Sequence, residues 1–103
     1  MAILMPRLVH AWNVFPKAKE SLPESPSTIA KRFFYDELVF EPRAVRFLVE
    51  SFGESQILVG TDYPYPWTKT AADLVLNTPG LSDDDRLAIL GGTAAKLLGI
   101  KTS

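Results

Sequence analysis

The chain contains no cysteine and a single histidine, His10. Without thiols there is neither a disulfide framework nor a thiolate metal site. A lone histidine with no second ligand nearby makes a poor metal site, so His10 reads as a helix-surface or interface residue. Basic residues are not in excess: 11 Lys and Arg stand against 12 Asp and Glu, for a net charge of -1. They do not cluster either, which speaks against nucleic acid as a partner. No apolar run approaches the roughly 20 residues that cross a bilayer. The opening Met1-Ala2-Ile3-Leu4-Met5 is too short for a signal-peptide core, and Pro6-Arg7 interrupts it. These absences predict a soluble, cytoplasmic chain. What is present, 103 residues of which 47% are hydrophobic and 22% charged, fits one ordinary globular domain spanning 1–103. No internal repeat or low-complexity tract is visible in it.

The most informative stretch is Ile57-Leu58-Val59-Gly60-Thr61-Asp62-Tyr63-Pro64. An unbroken apolar run rich in β-branched residues suits a strand buried on both faces, as in a parallel sheet covered by helices. Gly60 permits a bend or a close approach that a side chain would block. Pro64 cannot donate to a ladder and biases Tyr63 toward an extended conformation, so a strand over 57–61 stops there. Asp62 then sits at the carboxyl end of a parallel strand, where α/β sheets and barrels place their ligands. An aspartate leaving a strand also serves as a turn former or helix cap, and both readings remain open at this point.

Ahead of this stretch, residues 1–14 form an apolar helical segment with Ile3, Leu4, Leu8 and Trp12 near helical spacing. No capping residue precedes it, so the helix reads as beginning in mid-turn, as in a piece cut from a longer protein. Pro16, Pro23 and Pro26 mark 15–27 as a connector of low helical potential. Ser25-Pro26 can start a short helical turn through Thr28–Lys31. Phe33-Phe34-Tyr35-Asp36 predicts a strand over about 33–36. Asp36 and Glu37 then read as a polar loop leaving that strand, although Asp36 holds the same structural place as Asp62. Glu41-Pro42 opens a helix whose Val45, Leu48, Val49 and Phe52 recur as one apolar stripe, and Gly53 closes it. Strand, helix and strand make one parallel βαβ unit. Further on, Thr68 can cap a helix carrying Ala71, Ala72, Leu74 and Val75. Ser82 caps the next, with Asp83, Asp84 and Asp85 serving its positive end rather than a metal. Leu87, Leu90, Ala94, Leu97 and Leu98 predict one apolar face continuing across Gly91-Gly92, with Thr93 recapping the helix and Gly99 ending it.

Phe33–Asp36, Leu38-Val39, Glu41-Pro42, the Gly60-Thr61-Asp62-Tyr63-Pro64 run and Leu90-Gly-Gly-Thr-Ala-Ala-Lys-Leu-Leu-Gly99 together resemble a known family. It is the amidohydrolase-related family that includes aminocarboxymuconate-semialdehyde and resorcylate-type decarboxylases, and the likeness is to its C-terminal part. The resemblance implies an α/β fold: the C-terminal fragment of a (β/α)8 TIM-type barrel. Two parallel strands, about 33–36 and 57–61, a crossover helix and terminal helices are the part in hand, of a barrel of ~250 residues or more. It implies that Asp62 is the aspartate after the final strand, which ligates a divalent metal, zinc by expectation, or steers its bound water. It further implies that Arg7 holds a substrate carboxylate, reaching across a subunit interface; a planar guanidinium suits a bidentate carboxylate contact. The chain departs from the family pattern at Pro6 (usually glycine), Phe40 (often histidine) and Thr93 (usually a capping asparagine).

The family takes its other metal ligands from a His-x-His after the first strand and from further histidines, none of which a chain with His10 alone supplies. One carboxylate does not hold a catalytic metal, which normally has three protein ligands. No tight metal binding is therefore expected of this chain by itself. Two readings follow. In the first, the chain is the C-terminal segment of a metal-dependent carbon–carbon lyase or hydrolase acting on a carboxylate-bearing small molecule, inactive alone. In the second, it is a non-catalytic interaction module that self-associates, or completes a barrel with another chain, through its open strand edges. A homo-oligomer or the missing N-terminal part of the barrel is the expected partner.

Overall fold

The computed structural model describes residues 1–66 and 71–101. They fall into two compact units, Met1–Phe33 and Phe34–Ser103. The expected cap at Thr68 lies outside the described residues.

The first unit is helical. A 3₁₀ turn over Ala2–Leu4 runs into α1 (Met5–Val14), followed by α2 (Pro16–Ser21) and α3 (Pro26–Ala30). The expected helix over 1–14 is there, but α2 corrects the reading of 15–27 as a connector of low helical potential. Pro16 occupies the first helical position, where its missing N–H is not needed and its fixed φ already suits a helix. The proline that looked like a breaker is a starter, and Lys17, Ala18, Lys19 and Glu20 behind it favour the helix. Trp12 closes the unit by donating its indole N–H to the Leu22 carbonyl at 2.7 Å, with the Lys19 ammonium 4.9 Å from its ring centre. An ion pair joins Arg32 to Glu24. Met5, Leu8, Leu22, Ile29 and Phe33 line an apolar hollow of about 150 Å³.

The second unit carries the βαβ element. Strands β1 (Tyr35–Asp36) and β2 (Ile57–Leu58) pair in parallel, Tyr35 opposite Ile57 and Asp36 opposite Leu58. Between them α4 (Pro42–Phe52) has Pro42 at its first position and ends at Gly53, whose φ of 87° only glycine adopts freely. The expected stripe packs inward: Val45 is fully buried beside Ile57, Val75, Leu81 and Ile89, with Leu48, Val49 and Phe52 against them. The Tyr35 and Phe52 rings stack with centroids 4.3 Å apart.

Both strands are shorter than the sequence predicts. Phe33 and Phe34 are exposed and outside β1. β2 ends at Leu58: the Val59 N–H, on the side away from β1, goes to the Ile89 carbonyl 3.0 Å distant, and the Gly60 N–H, the next to face β1, goes to a Glu37 side-chain oxygen rather than to a strand carbonyl. Past their ends the two segments still share one backbone habit at the same offset of 22 residues. Phe40 and Asp62 are the non-glycine residues with positive φ among the described residues, at 64° and 56°, and each stands two places before a proline.

Three further helices follow: α5 (Ala71–Asn77), α6 (Asp83–Leu87) and α7 (Thr93–Leu98). Ser82 caps α6 as expected, in a reciprocal box: its Oγ accepts from the Asp85 N–H and its own N–H donates to Asp85 Oδ2, both at 3.0 Å. Ala88–Gly92 between α6 and α7 is π-helical. The wider turn rotates the buried face, correcting the expected stripe. Ile89 is fully buried, whereas Leu87 and Leu98 are 67% and 69% exposed. Thr93 is likewise not a cap: its buried hydroxyl donates to the Glu54 carbonyl at 2.8 Å. Gly99, in the left-handed conformation, ends α7, and the Ile100 N–H closes back on the Ala95 carbonyl at 2.8 Å.

Candidate active site

The carboxyl ends of β1 and β2 collect three carboxylates, Asp36, Glu37 and Asp62, on segments whose conformation the sequence dictates closely. Asp36 ends β1 and accepts the Leu38 N–H on Oδ1 at 3.1 Å, a local turn of the kind aspartate favours. Its side chain also explains Gly60. A Cβ on Gly60 would lie 3.0 Å from the Asp36 Cβ, so the two segments approach as closely as they do only with glycine there. Beyond it, the Thr61 hydroxyl oxygen accepts the Tyr63 N–H at 3.1 Å and the Asp62 carbonyl accepts the Tyr65 N–H at 3.0 Å. The Tyr63–Pro64 peptide is cis. Asp62 is thus held in a left-handed conformation, four residues past the last residue of β2, with its side chain exposed. Non-glycine residues are rarely so placed, and aspartate is among the few types that tolerate it.

Glu37 is the residue sequence reasoning passed over. It looked like part of a polar loop, yet it is 1% exposed. Its backbone N–H extends the ladder to the Leu58 carbonyl at 2.9 Å. Its Oε1 accepts the Gly60 N–H at 3.4 Å, while the buried Oε2 has no hydrogen-bond partner among the described residues. Burial pushes the Glu37 carboxyl above its ordinary value and the neighbouring Asp36 charge adds to this, against the opposing pull of the Gly60 N–H. No local signal marks it: a glutamate directly after a strand reads as a loop entrance until its burial is seen.

Arg7 lies exposed on α1 in the first unit, as does His10. Among the described residues no group of three or more His, Asp or Glu side chains is arranged to hold a metal ion. The residues present therefore do not fit a catalytic metal by themselves; Asp62 offers one carboxylate where about three protein ligands are needed.

A family model described as amidohydrolase matches residues 1–100. The chain belongs to the amidohydrolase family. Among curated proteins, this family member is 31% identical over 96 residues to a 2-amino-3-carboxymuconate-6-semialdehyde decarboxylase from Dictyostelium discoideum, covering 91% of the chain and 27% of that relative. A protein of the same description from Caenorhabditis elegans is also 31% identical over 96 residues, again 91% of the chain, with 24% of the relative covered. The amidohydrolase chain thus spans about a quarter of the length of the curated relatives it matches. Among solved structures it superposes on 5-carboxyvanillate decarboxylase from Sphingomonas paucimobilis with a TM-score of 0.78 at 20% identity, over 98% of this chain and 31% of that one. At that identity the likeness is one of fold. The expected family is confirmed, and a mostly helical piece with two parallel strands and a crossover helix is consistent with part of a barrel. No helix among the described residues is long and apolar enough to cross a membrane.

Proposed function

We propose that the chain is the C-terminal segment, within a single domain, of a metal-dependent decarboxylase built on a (β/α)8 barrel and acting on a carboxylate-bearing small molecule. The observation that carries this reading is the position of Asp62: in a segment 31% identical to two decarboxylases, it follows the carboxyl end of a parallel strand pair, the face on which barrels build their sites. Asp62 supplies one carboxylate to a divalent metal, zinc by expectation, whose remaining ligands come from protein outside this chain. Arg7 binds a substrate carboxylate from a neighbouring subunit, its exposed place on α1 leaving the guanidinium available to a partner. Alone, the chain neither holds the metal tightly nor turns over substrate, and it works in the cytoplasm as part of a larger chain or homo-oligomer.

The test is a chimera in which the chain replaces the matching segment of the Dictyostelium decarboxylase. Decarboxylation and bound metal are expected to be retained, and both to fall by at least about a hundredfold in Asp62→Asn, the scale on which groups acting directly on the chemistry matter. An active chimera indifferent to Asp62→Asn refutes the assignment, and stoichiometric tight zinc binding by the isolated chain refutes the account of the missing ligands. A second reading, a self-associating module without catalysis, draws on the outer edges of β1 and β2, which no third strand covers among the described residues. Light scattering on the isolated chain checks it: a monomer argues against self-association.

A further inference from the structure

A parallel ladder leaves each strand's exit to be decided by whatever takes the next backbone donors, and here those donors are taken one by one. After Leu58 the Val59 N–H goes to the Ile89 carbonyl, and the next donor, the Gly60 N–H, goes to Glu37 Oε1. Asp36 packs against Gly60, and the Thr61 and Asp62 bonds fix the turn through Tyr65. The turn has its own internal bonds, and the Glu37 carboxylate ties its root to β1. Burying a carboxylate is costly, and an apolar side chain would fill the same space without that cost. Among the described residues its second oxygen has no hydrogen-bond partner, which leaves the Gly60 contact as the side chain's hydrogen bond there.

We propose that Glu37 is the positioning residue for Asp62: by holding the Gly60 N–H from inside the fold, it sets the direction in which the chain leaves β2 and so where the Asp62 carboxylate is presented. The assignment rests on the reading of Asp62 as an active-site group, but its test does not use activity or metal.

The test is NMR on the full isotope-labelled 103-residue chain, comparing wild type, Glu37→Gln and Glu37→Leu. In wild type, the Gly60 amide shift is expected to follow the Glu37 side-chain carboxyl carbon through its titration with the same midpoint. The Thr61, Asp62 and Tyr63 amides are expected to move with it. Asp36 is the charged group beside Glu37, and the response that survives in Glu37→Gln is its share. In Glu37→Leu the Gly60 amide exchanges roughly threefold to tenfold faster and the Asp62 amide shifts, because a hydrogen bond, long at 3.4 Å, is gone. Glu37→Gln, whose side-chain carbonyl still accepts, restores slow exchange at Gly60. A Gly60 amide that ignores the Glu37 titration overturns the proposal, as does an Asp62 amide unmoved in Glu37→Leu. If Glu37→Leu does not fold, the wild-type titration decides alone. Failure of the chimera to need Asp62 leaves this result standing, so the two readings fall separately.

Discussion

Replacing Ile89 by alanine, with Leu87→Ala as its control, weighs a regular helix against the π-helical segment between α6 and α7. The regular pattern places Leu87 on the buried face; the structure places Ile89 there, fully buried, and leaves Leu87 mostly exposed. Ile89→Ala removes about three methylene equivalents, worth roughly 2.4 kcal/mol in lost burial at ~0.8 each. The partly relaxed cavity brings the total to about 3–4 kcal/mol, inside the usual range of ~2–5 for such changes. The unit Phe34–Ser103 has a stability of only about 3.5–10 kcal/mol at ~0.05–0.15 per residue. One side chain therefore carries a third of it or more. With a urea slope of roughly 1–3 kcal/mol per M, the far-UV circular dichroism midpoint is expected to fall by about 1–4 M. Leu87→Ala is expected to stay within ~0.5 kcal/mol of wild type, as exposed substitutions do. A Leu87→Ala loss equal to that of Ile89→Ala refutes the π-helical arrangement.

Two further outcomes follow from local geometry. Ser82→Ala removes one half of the reciprocal cap on α6 and is expected to cost about 1 kcal/mol in the same denaturation assay, with no loss of fold. The Glu37 carboxyl, raised above its ordinary value of 4.5 in the fold, binds its proton more tightly folded than unfolded. Its stabilising contribution is therefore complete below that ordinary value and is lost as pH rises through the raised one. The urea midpoint of wild type relative to Glu37→Gln should be higher at about pH 4 than at about pH 7, and a pH-independent difference contradicts the raised value.

The βαβ unit was legible because its signals are local and redundant. Glu41-Pro42 starts α4, the Val45–Phe52 stripe gives its inner face, and Gly53 stops it, so the helix bounds agree with the structure at both ends. Strand ends were less legible, since they depend on partners far away in sequence. Nothing in Val59 announces that its N–H is taken by Ile89, 30 residues on. Thr93 shows the same limit: threonine at a helix start suggests a cap, while its hydroxyl serves a carbonyl 39 residues earlier. Pro16 was misread for a different reason, because a proline at the first position of a helix and one in a loop look alike until the helix is seen. At the site, Gly60 and Asp62 stood out by spacing. Glu37 did not, since burial of a charged side chain is a tertiary fact.

The left-handed residues that end both strand segments have a bearing on how this rim tolerates change. Asp62 is a residue type at ease there, whereas Phe40 is bulky and forgoes of order 1 kcal/mol by adopting φ of 64°. The kink is a property of the scaffold at that register, imposed on whichever side chain arrives. Position 40 is thus a place where the side chain can change while the main-chain path stays put.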